Sequence, residues 1–121
     1  IRYEGHVKAG KTDGHGTEYF DNGQVAYEGE WKGGLRNGNG TEFHRETGNK
    51  TYEGHFKAGW RHGHGTEYFD NGHIKYQGEW FWGRPDGNGT QFHRETGNKT
   101  YEGHFKAGTR HGHGTDYFDS G

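Results

Sequence analysis

The chain writes one short passage five times. Tyr-(Glu/Gln)-Gly, an aromatic residue or valine four places after the tyrosine, and then x-Gly-x-Gly-Thr-x-aromatic recur from Tyr3, Tyr27, Tyr52, Tyr76 and Tyr101, spaced alternately by 24 and 25 residues. A unit this short cannot bury an apolar face alone, so it must stack on its neighbours, and the surface built by stacking is where such arrays work. The expectation is a binding or scaffolding protein: one repeat domain over residues 1–121, with units 3–26, 27–51, 52–75, 76–100 and 101–121.

Only 24% of residues are hydrophobic, which alone would suggest disorder, but 17% are aromatic and they recur at fixed places. That is an ordered chain with a thin core. The glycines are equally regular: of 26, all but Gly33 fall in five columns set by Gly5, Gly10, Gly14, Gly16 and Gly23. Glycine at fixed spacing marks fixed backbone demands, either positive φ or close approach to another chain segment. A net charge of −2 with acids and bases interspersed leaves no global attraction to nucleic acid or anionic lipid. With no cysteine there is neither a disulfide framework nor thiol chemistry. No apolar run is long enough to cross a membrane as a helix, and no signal-like segment is present. Starting at Ile1 without methionine and stopping at Gly121 before a sixth tyrosine, the chain reads as a fragment, a processed chain or an engineered product.

In the third unit Tyr52, Gly54 and Phe56 alternate with Glu53, His55 and Lys57, and His64, Thr66 and Tyr68 alternate with Gly65, Glu67 and Phe69. Period two predicts two half-buried strands, and the Ala58–Gly63 stretch between them predicts a hairpin with Tyr52 opposite Tyr68. Asp70-Asn71-Gly72 is a second turn signal, repeated at Asp21-Asn22-Gly23, while even units end in Glu46-Thr47-Gly48-Asn49 or Glu95-Thr96-Gly97-Asn98. The fold expected is all-β: an elongated, twisted antiparallel meander of stacked β-hairpins, about ten strands and no helix. Three columns should be core: the five tyrosines; Val7, Trp31, Phe56, Trp80 and Phe105; and Tyr19, Phe43, Tyr68, Phe92 and Tyr117. Glycines such as Gly54 should leave room for their rings.

Tyr-Glu-Gly-Glu-Trp-Lys-Gly-Gly at 27 to 34, followed by Asn-Gly-Asn-Gly-Thr at 37 to 41, resembles the membrane occupation and recognition nexus (MORN) repeat, and the likeness covers nearly the whole chain. Tyr19-Phe20-Asp21-Asn22-Gly23 is similar to bacterial variants of it. The resemblance implies stacked hairpins in a curved, grooved sheet, a role as a protein-interaction scaffold, often dimeric, and for some members phosphoinositide binding. Histidine stands here where that family more often has lysine or an acid. Fold carries over from such a likeness better than function does.

The units differ from one another at few positions, and those positions are clustered. Units three and five differ at three of 21 positions: Trp60 for Thr109, Glu67 for Asp116 and Asn71 for Ser120. Units two and four differ at seven of 25, and five of these crowd one hairpin tip, where Lys32, Gly33, Leu35, Arg36 and Asn37 become Phe81, Trp82, Arg84, Pro85 and Asp86. A constant frame with varied tips is the pattern of a binding surface. The candidate partner-binding residues are accordingly Leu35, Trp60, Arg61, Phe81, Trp82 and Arg84, an aromatic and arginine composition typical of hot spots. The bland counterpart is that these tips merely pack on one another.

Other chemistry is thinly supported. His62 and His64, repeated as His111 and His113, could chelate a transition ion weakly, but no cysteine or ligand-spaced carboxylate joins them, so no metal or other cofactor is expected. Eleven histidines would swing the charge positive in mild acid. Serine occurs only at Ser120, cysteine nowhere, and acids such as Glu28 and Glu53 read as a solvated strand face, so the chain is not expected to be an enzyme. Gly14-His15-Gly16 looks like half a phosphate loop without the helix that completes one. The function expected is a non-catalytic scaffold binding a protein partner through its extended sheet face and aromatic tips. The alternatives are self-assembly into a homo-oligomer through exposed sheet edges, and binding to phosphoinositide membranes, which the charge balance disfavours. Nucleic acid is not expected as a partner. Near-identity of the units fits recent duplication and consensus engineering alike.

Overall fold

The computed structural model describes residues 2–118, and over them the repeat becomes one antiparallel sheet without helix. Its ten described strands are β1 (Arg2–Lys8), β2 (Lys11–Tyr19), β3 (Val25–Lys32), β4 (Leu35–Phe43), β5 (Lys50–Lys57), β6 (Trp60–Tyr68), β7 (Ile74–Phe81), β8 (Arg84–Phe92), β9 (Lys99–Lys106) and β10 (Thr109–Asp116). Each pairs only with its neighbours in sequence, the all-β meander that the turn signals predict.

Two kinds of connection alternate. Hairpin tips are two-residue turns: Lys57 pairs with Trp60 around Ala58 and Gly59, both with positive φ (49° and 88°), the twist that joins adjacent strands without splaying them. Links between units lie on the opposite edge. After odd units the Phe20 N–H donates to the Gln24 carbonyl at 2.8 Å, whereas after even units the His44 N–H donates to the Asn49 carbonyl at 2.7 Å. The second loop is one residue longer, and this makes the sequence period alternate.

A row of glycines crosses the whole sheet. Gly5 pairs with Gly16, Gly16 with Gly29, Gly29 with Gly40, and so on through Gly54, Gly65, Gly78, Gly89 and Gly103 to Gly114. The tyrosines of the first column lie flat over this row. A Cβ at Gly65 would stand 2.0 Å from Tyr52 Oη, and one at Gly40 2.1 Å from Tyr27 Oη. Each hydroxyl donates to the backbone carbonyl three residues on, as Tyr52 does to His55 at 2.9 Å and Tyr27 to Glu30 at 2.9 Å.

On this ring face the core is a zigzag of edge-to-face contacts. Tyr27 meets Trp31 and Phe56, each with centroids at 5.2 Å; Tyr52 meets Phe56 (5.1 Å) and Trp80 (5.3 Å); Tyr76 meets Trp80 (5.3 Å) and Phe105 (4.9 Å). These rings thus tie each unit to the next, and a unit taken alone would lose contacts to its core. Guanidinium groups roof the rings: Arg36 lies 4.5 Å from the Tyr27 centroid, Arg61 4.6 Å from Tyr52 and Arg110 4.6 Å from Tyr101. Arg36 is held between Glu18 and Glu42, both at 2.9 Å, and Arg61 between Glu42 (2.8 Å) and Glu67 (3.2 Å).

Three sequence expectations are corrected. Tyr52 stands opposite Glu67, not Tyr68. Gly54 pairs with Gly65 but Phe56 with Arg61, so His62, Gly63 and His64 bulge opposite His55, with Gly63 at φ 86°, and this moves Tyr68 to the other face. The third aromatic column is therefore not core: on the polar face the Tyr19 hydroxyl donates to Glu4 (3.0 Å) and the Tyr117 hydroxyl to Glu102 (2.9 Å). Val7, placed in the core column by sequence, is exposed because no unit precedes it in the described sheet.

Candidate functional site

The five tips stand side by side along one edge, and the backbone locks each to the one before. The N–H groups of Gly34, Gly59, Gly83 and Gly108 donate to the carbonyls of Thr12, Arg36, Arg61 and Pro85, all within 2.8–2.9 Å. A side chain one position further along caps the residue preceding each glycine: Asp13 accepts from Gly33 N (3.4 Å), Asn37 from Ala58 N (3.2 Å), His62 Nδ1 from Trp82 N (3.2 Å) and Asp86 from Ala107 N (3.1 Å). The varied residues therefore sit on a rigid rail.

That capped position is left-handed in every unit. Ala9, Gly33, Ala58 and Ala107 occupy it with φ of 52°, 57°, 49° and 51°, and Trp82 with φ 47°. Left-handed backbone is uncommon for any residue with a Cβ and is an outlier for a bulky one. Trp82 holds it with its ring 4.8 Å from the His62 ring, 6.1 Å from Phe81 and 5.5 Å from Lys57 Nζ, while Phe81 also meets His62 at 5.3 Å.

The first residues of β2, β4 and β6 lean on the glycine of the next tip. Leu35 Cδ2 lies 3.7 Å from where a Gly59 Cβ would be, and the Trp60 indole 2.8 Å from where a Gly83 Cβ would be. Packing of tip on tip is thus present, yet incomplete: Leu35 is 49% exposed, Trp60 56%, Phe81 55% and Trp82 41%. Arg84, which closes the fourth tip opposite Phe81, is exposed as well. Arg61 stands apart from this cluster, over the Tyr52 ring in the frame. His62, read from sequence as a metal candidate, serves instead as cap and ring support for Trp82. His64 lies on the polar face opposite Glu79, and His111 and His113 are exposed on β10. Among the described residues no three histidine or acidic side chains are placed to hold a metal ion.

The polar face carries a second feature, an open trough of about 670 Å³ over β2 to β5, walled by His15, Glu28, Glu30, Asn39, Thr41 and Glu53 with glycine backbone as its floor. A smaller trough of about 370 Å³ repeats it at Gln77, Asn88, Thr90 and Glu102. Burial pushes the hydroxyls of Tyr27, Tyr52 and Tyr76 well above the ordinary tyrosine pKa. The hydrogen bond from Tyr117 holds the Glu102 carboxyl below its usual range.

The profile of the MORN repeat matches residues 3–25, 27–44, 52–74, 76–92 and 101–121. The chain belongs to the MORN repeat family. The matches break within the links of the even units, where the longer loop departs from the repeat, and they include every tip. No curated protein matches the chain. MORN arrays are repeat scaffolds for protein or membrane interaction and are generally non-catalytic.

Sequence comparison singled out the aromatic tips because they differ between units. It missed Lys57 and the structural part of His62, whose only signal is their place one tip before Trp82. It grouped Arg61 with the tips because Trp60, Arg61 and His62 stand where unit one has Lys11, Thr12 and Asp13.

Proposed function

We propose that this MORN array is a protein-interaction scaffold whose contact site is the edge cluster of Leu35, Trp60, Phe81, Trp82 and Arg84. The observation that carries the reading is Trp82: a bulky ring held at a backbone position that disfavours side chains, on an exposed tip, where the sister unit has Gly33. Backbone strain of this kind persists at sites of function because the surroundings over-determine it. The clustered aromatics supply rigid contact area with little entropy to lose, and Arg84 sits at their margin.

The test replaces the cluster by residues already present in sister units, Trp60→Thr, Phe81→Lys and Trp82→Gly together, and pans a random-peptide display library on the native chain. Clones enriched on the native array should bind the triple variant at least about tenfold more weakly, a loss of about 1.4 kcal/mol, while the variant stays folded and melts no lower than the native chain. Clones that bind the two equally would sink the assignment. An untagged copy of the chain competing for the same site would identify the partner as self.

A further inference from the structure

The tip edge has a second regularity, in charge. Lys8 and Lys11 flank the first tip, Lys32 the second, Lys57 the third, Arg84 the fourth and Lys106 the fifth, and all are exposed. Among the described residues no ion pair holds any of them; Lys57 lies over Trp82. Two carboxylates on the same edge, Asp13 and Asp86, are occupied in capping Gly33 and Ala107. The opposite edge is built differently: Arg45 is paired with Glu46, and Arg94 with Asp70 and Glu95. A chain with net charge −2 therefore turns a file of unpaired cations, with apolar rings between them, toward one side.

We propose that this edge binds an extended acidic polypeptide segment, its carboxylates meeting the tip cations in turn and one apolar side chain seated beside Trp60 and Trp82. The inference rests on the aromatic cluster being a contact site and names the chemistry of what it contacts. Spacing supports it. Successive tips are two strands apart, about 10 Å, and an extended chain advances about 3.3 Å per residue, so a carboxylate at every third position meets one cation per tip. The tip backbone is already hydrogen-bonded tip to tip, so the segment is recognised through side chains and not by adding a strand. A peptide also suits the shape better than a bilayer does. Neighbouring strands rotate by about 20°, which carries the file of tips out of any one plane. A flexible segment follows such a path; a flat lipid surface meets only part of it.

The probe is a fluorescently labelled synthetic peptide with glutamate at every third position, serine between, and one central leucine. A permuted peptide carries the same residues with the glutamates contiguous. Fluorescence anisotropy should show the spaced peptide binding several-fold tighter than the permuted one and weakening as salt rises. The combined variant Lys8→Gln, Lys32→Gln, Lys57→Gln and Lys106→Gln, which removes four of the exposed cations, should weaken it about tenfold. Trp60→Thr/Phe81→Lys/Trp82→Gly should lose affinity but keep the salt dependence, because Phe81→Lys adds a cation.

A spaced peptide that binds no better than its lysine counterpart, or is indifferent to the four glutamines, overturns the proposal. So does sedimentation of the chain with phosphatidylserine-containing vesicles, or binding to single-stranded oligonucleotide, while the peptide stays free. If library clones still need the aromatic rings but the acidic peptide is not bound, the contact site stands and the acidic partner falls.

Discussion

Gly40→Ala is the most direct probe of why this sheet carries a glycine row. Gly40 lies outside the left-handed region, so alanine there meets no backbone penalty. Its Cβ would instead stand 2.1 Å from Tyr27 Oη and 2.4 Å from both Cε1 and Cζ, distances no side chain tolerates. The ring is fully buried and must leave. It then gives up its edge contacts with Trp31 and Phe56, the hydrogen bond to the Glu30 carbonyl and the guanidinium of Arg36 above it. Two aromatic pairs at about 0.5–1.5 kcal/mol each, a hydrogen bond at about 1 and a cation–π contact at about 0.5–1 amount to about 3–5 kcal/mol.

Urea unfolding followed by tryptophan fluorescence reads this directly, since Trp31 touches the displaced ring. With a slope of about 2 kcal/mol per molar urea, the midpoint should fall by about 2 M. Gly23→Ala is the contrast: φ is 88° and nothing lies within 4 Å, so only the left-handed penalty of about 1–2 kcal/mol applies. In a Tyr27→Ala background Gly40→Ala should cost almost nothing, a strongly non-additive pair. A Gly40→Ala cost that persists in that background would refute the claim that the row is glycine because tyrosines cover it.

Trp82→Asn should raise stability by about 0.5–1 kcal/mol, because asparagine tolerates the left-handed backbone that tryptophan occupies under strain; thermal melts check it. His62→Ala should speed hydrogen exchange at the Trp82 amide several-fold by removing its acceptor, whereas His62→Asn should not, since Asn37 caps Ala58 in the equivalent place. Tyr27, Tyr52 and Tyr76 have pKa values raised by burial, so their contribution to stability is full below about pH 10, where unfolded tyrosine ionises, and declines as pH rises beyond it. Phenolate absorbance should therefore rise in two phases, the second coinciding with unfolding; a single phase in a folded chain contradicts it. Pro85→Arg with Gln91→Glu should restore a guanidinium over Tyr76 and add up to about 1 kcal/mol in urea melts, more than the two changes made singly.

The strands, the two turn types and the first two core columns, Val7 apart, were legible because each rests on local chemistry: period-two alternation, Asn-Gly and Ala-Gly turns, and aromatics at constant spacing. Gly54 and its relatives were also readable as space for rings. The third column was not, since counting by twos cannot see that His62, Gly63 and His64 face one residue. Gly63 with its positive φ marks the bulge, but its glycine neighbour two places on, Gly65, belongs to the covered row and has no such φ, so sequence gives both the same letter for different reasons. At the tips, variation showed where to look. What holds them was hidden, because each cap reaches from one unit to the next, about twenty residues away in the chain.

The fourth unit shows how frame and edge are linked. Units two, three and five roof a tyrosine with Arg36, Arg61 and Arg110, but Pro85 stands at that place in unit four, and no guanidinium among the described residues covers Tyr76. Leu35-Arg36 has become Arg84-Pro85, which moves the arginine one residue along the strand, and in a strand one residue is a change of side. The cation lost from the roof reappears exposed at the tip, beside Phe81. The roof adjusts in step. Glu42 serves both Arg36 and Arg61, whereas its counterpart Gln91, with no roof arginine in its own unit, needs no charge to accept a hydrogen bond from Arg110 at 2.8 Å. Loss of a roof arginine, loss of its carboxylate and gain of an exposed arginine with two aromatic rings are thus one coordinated change. It gives up a little frame stability in this unit and places a cation and apolar area on the one edge where a partner can reach them.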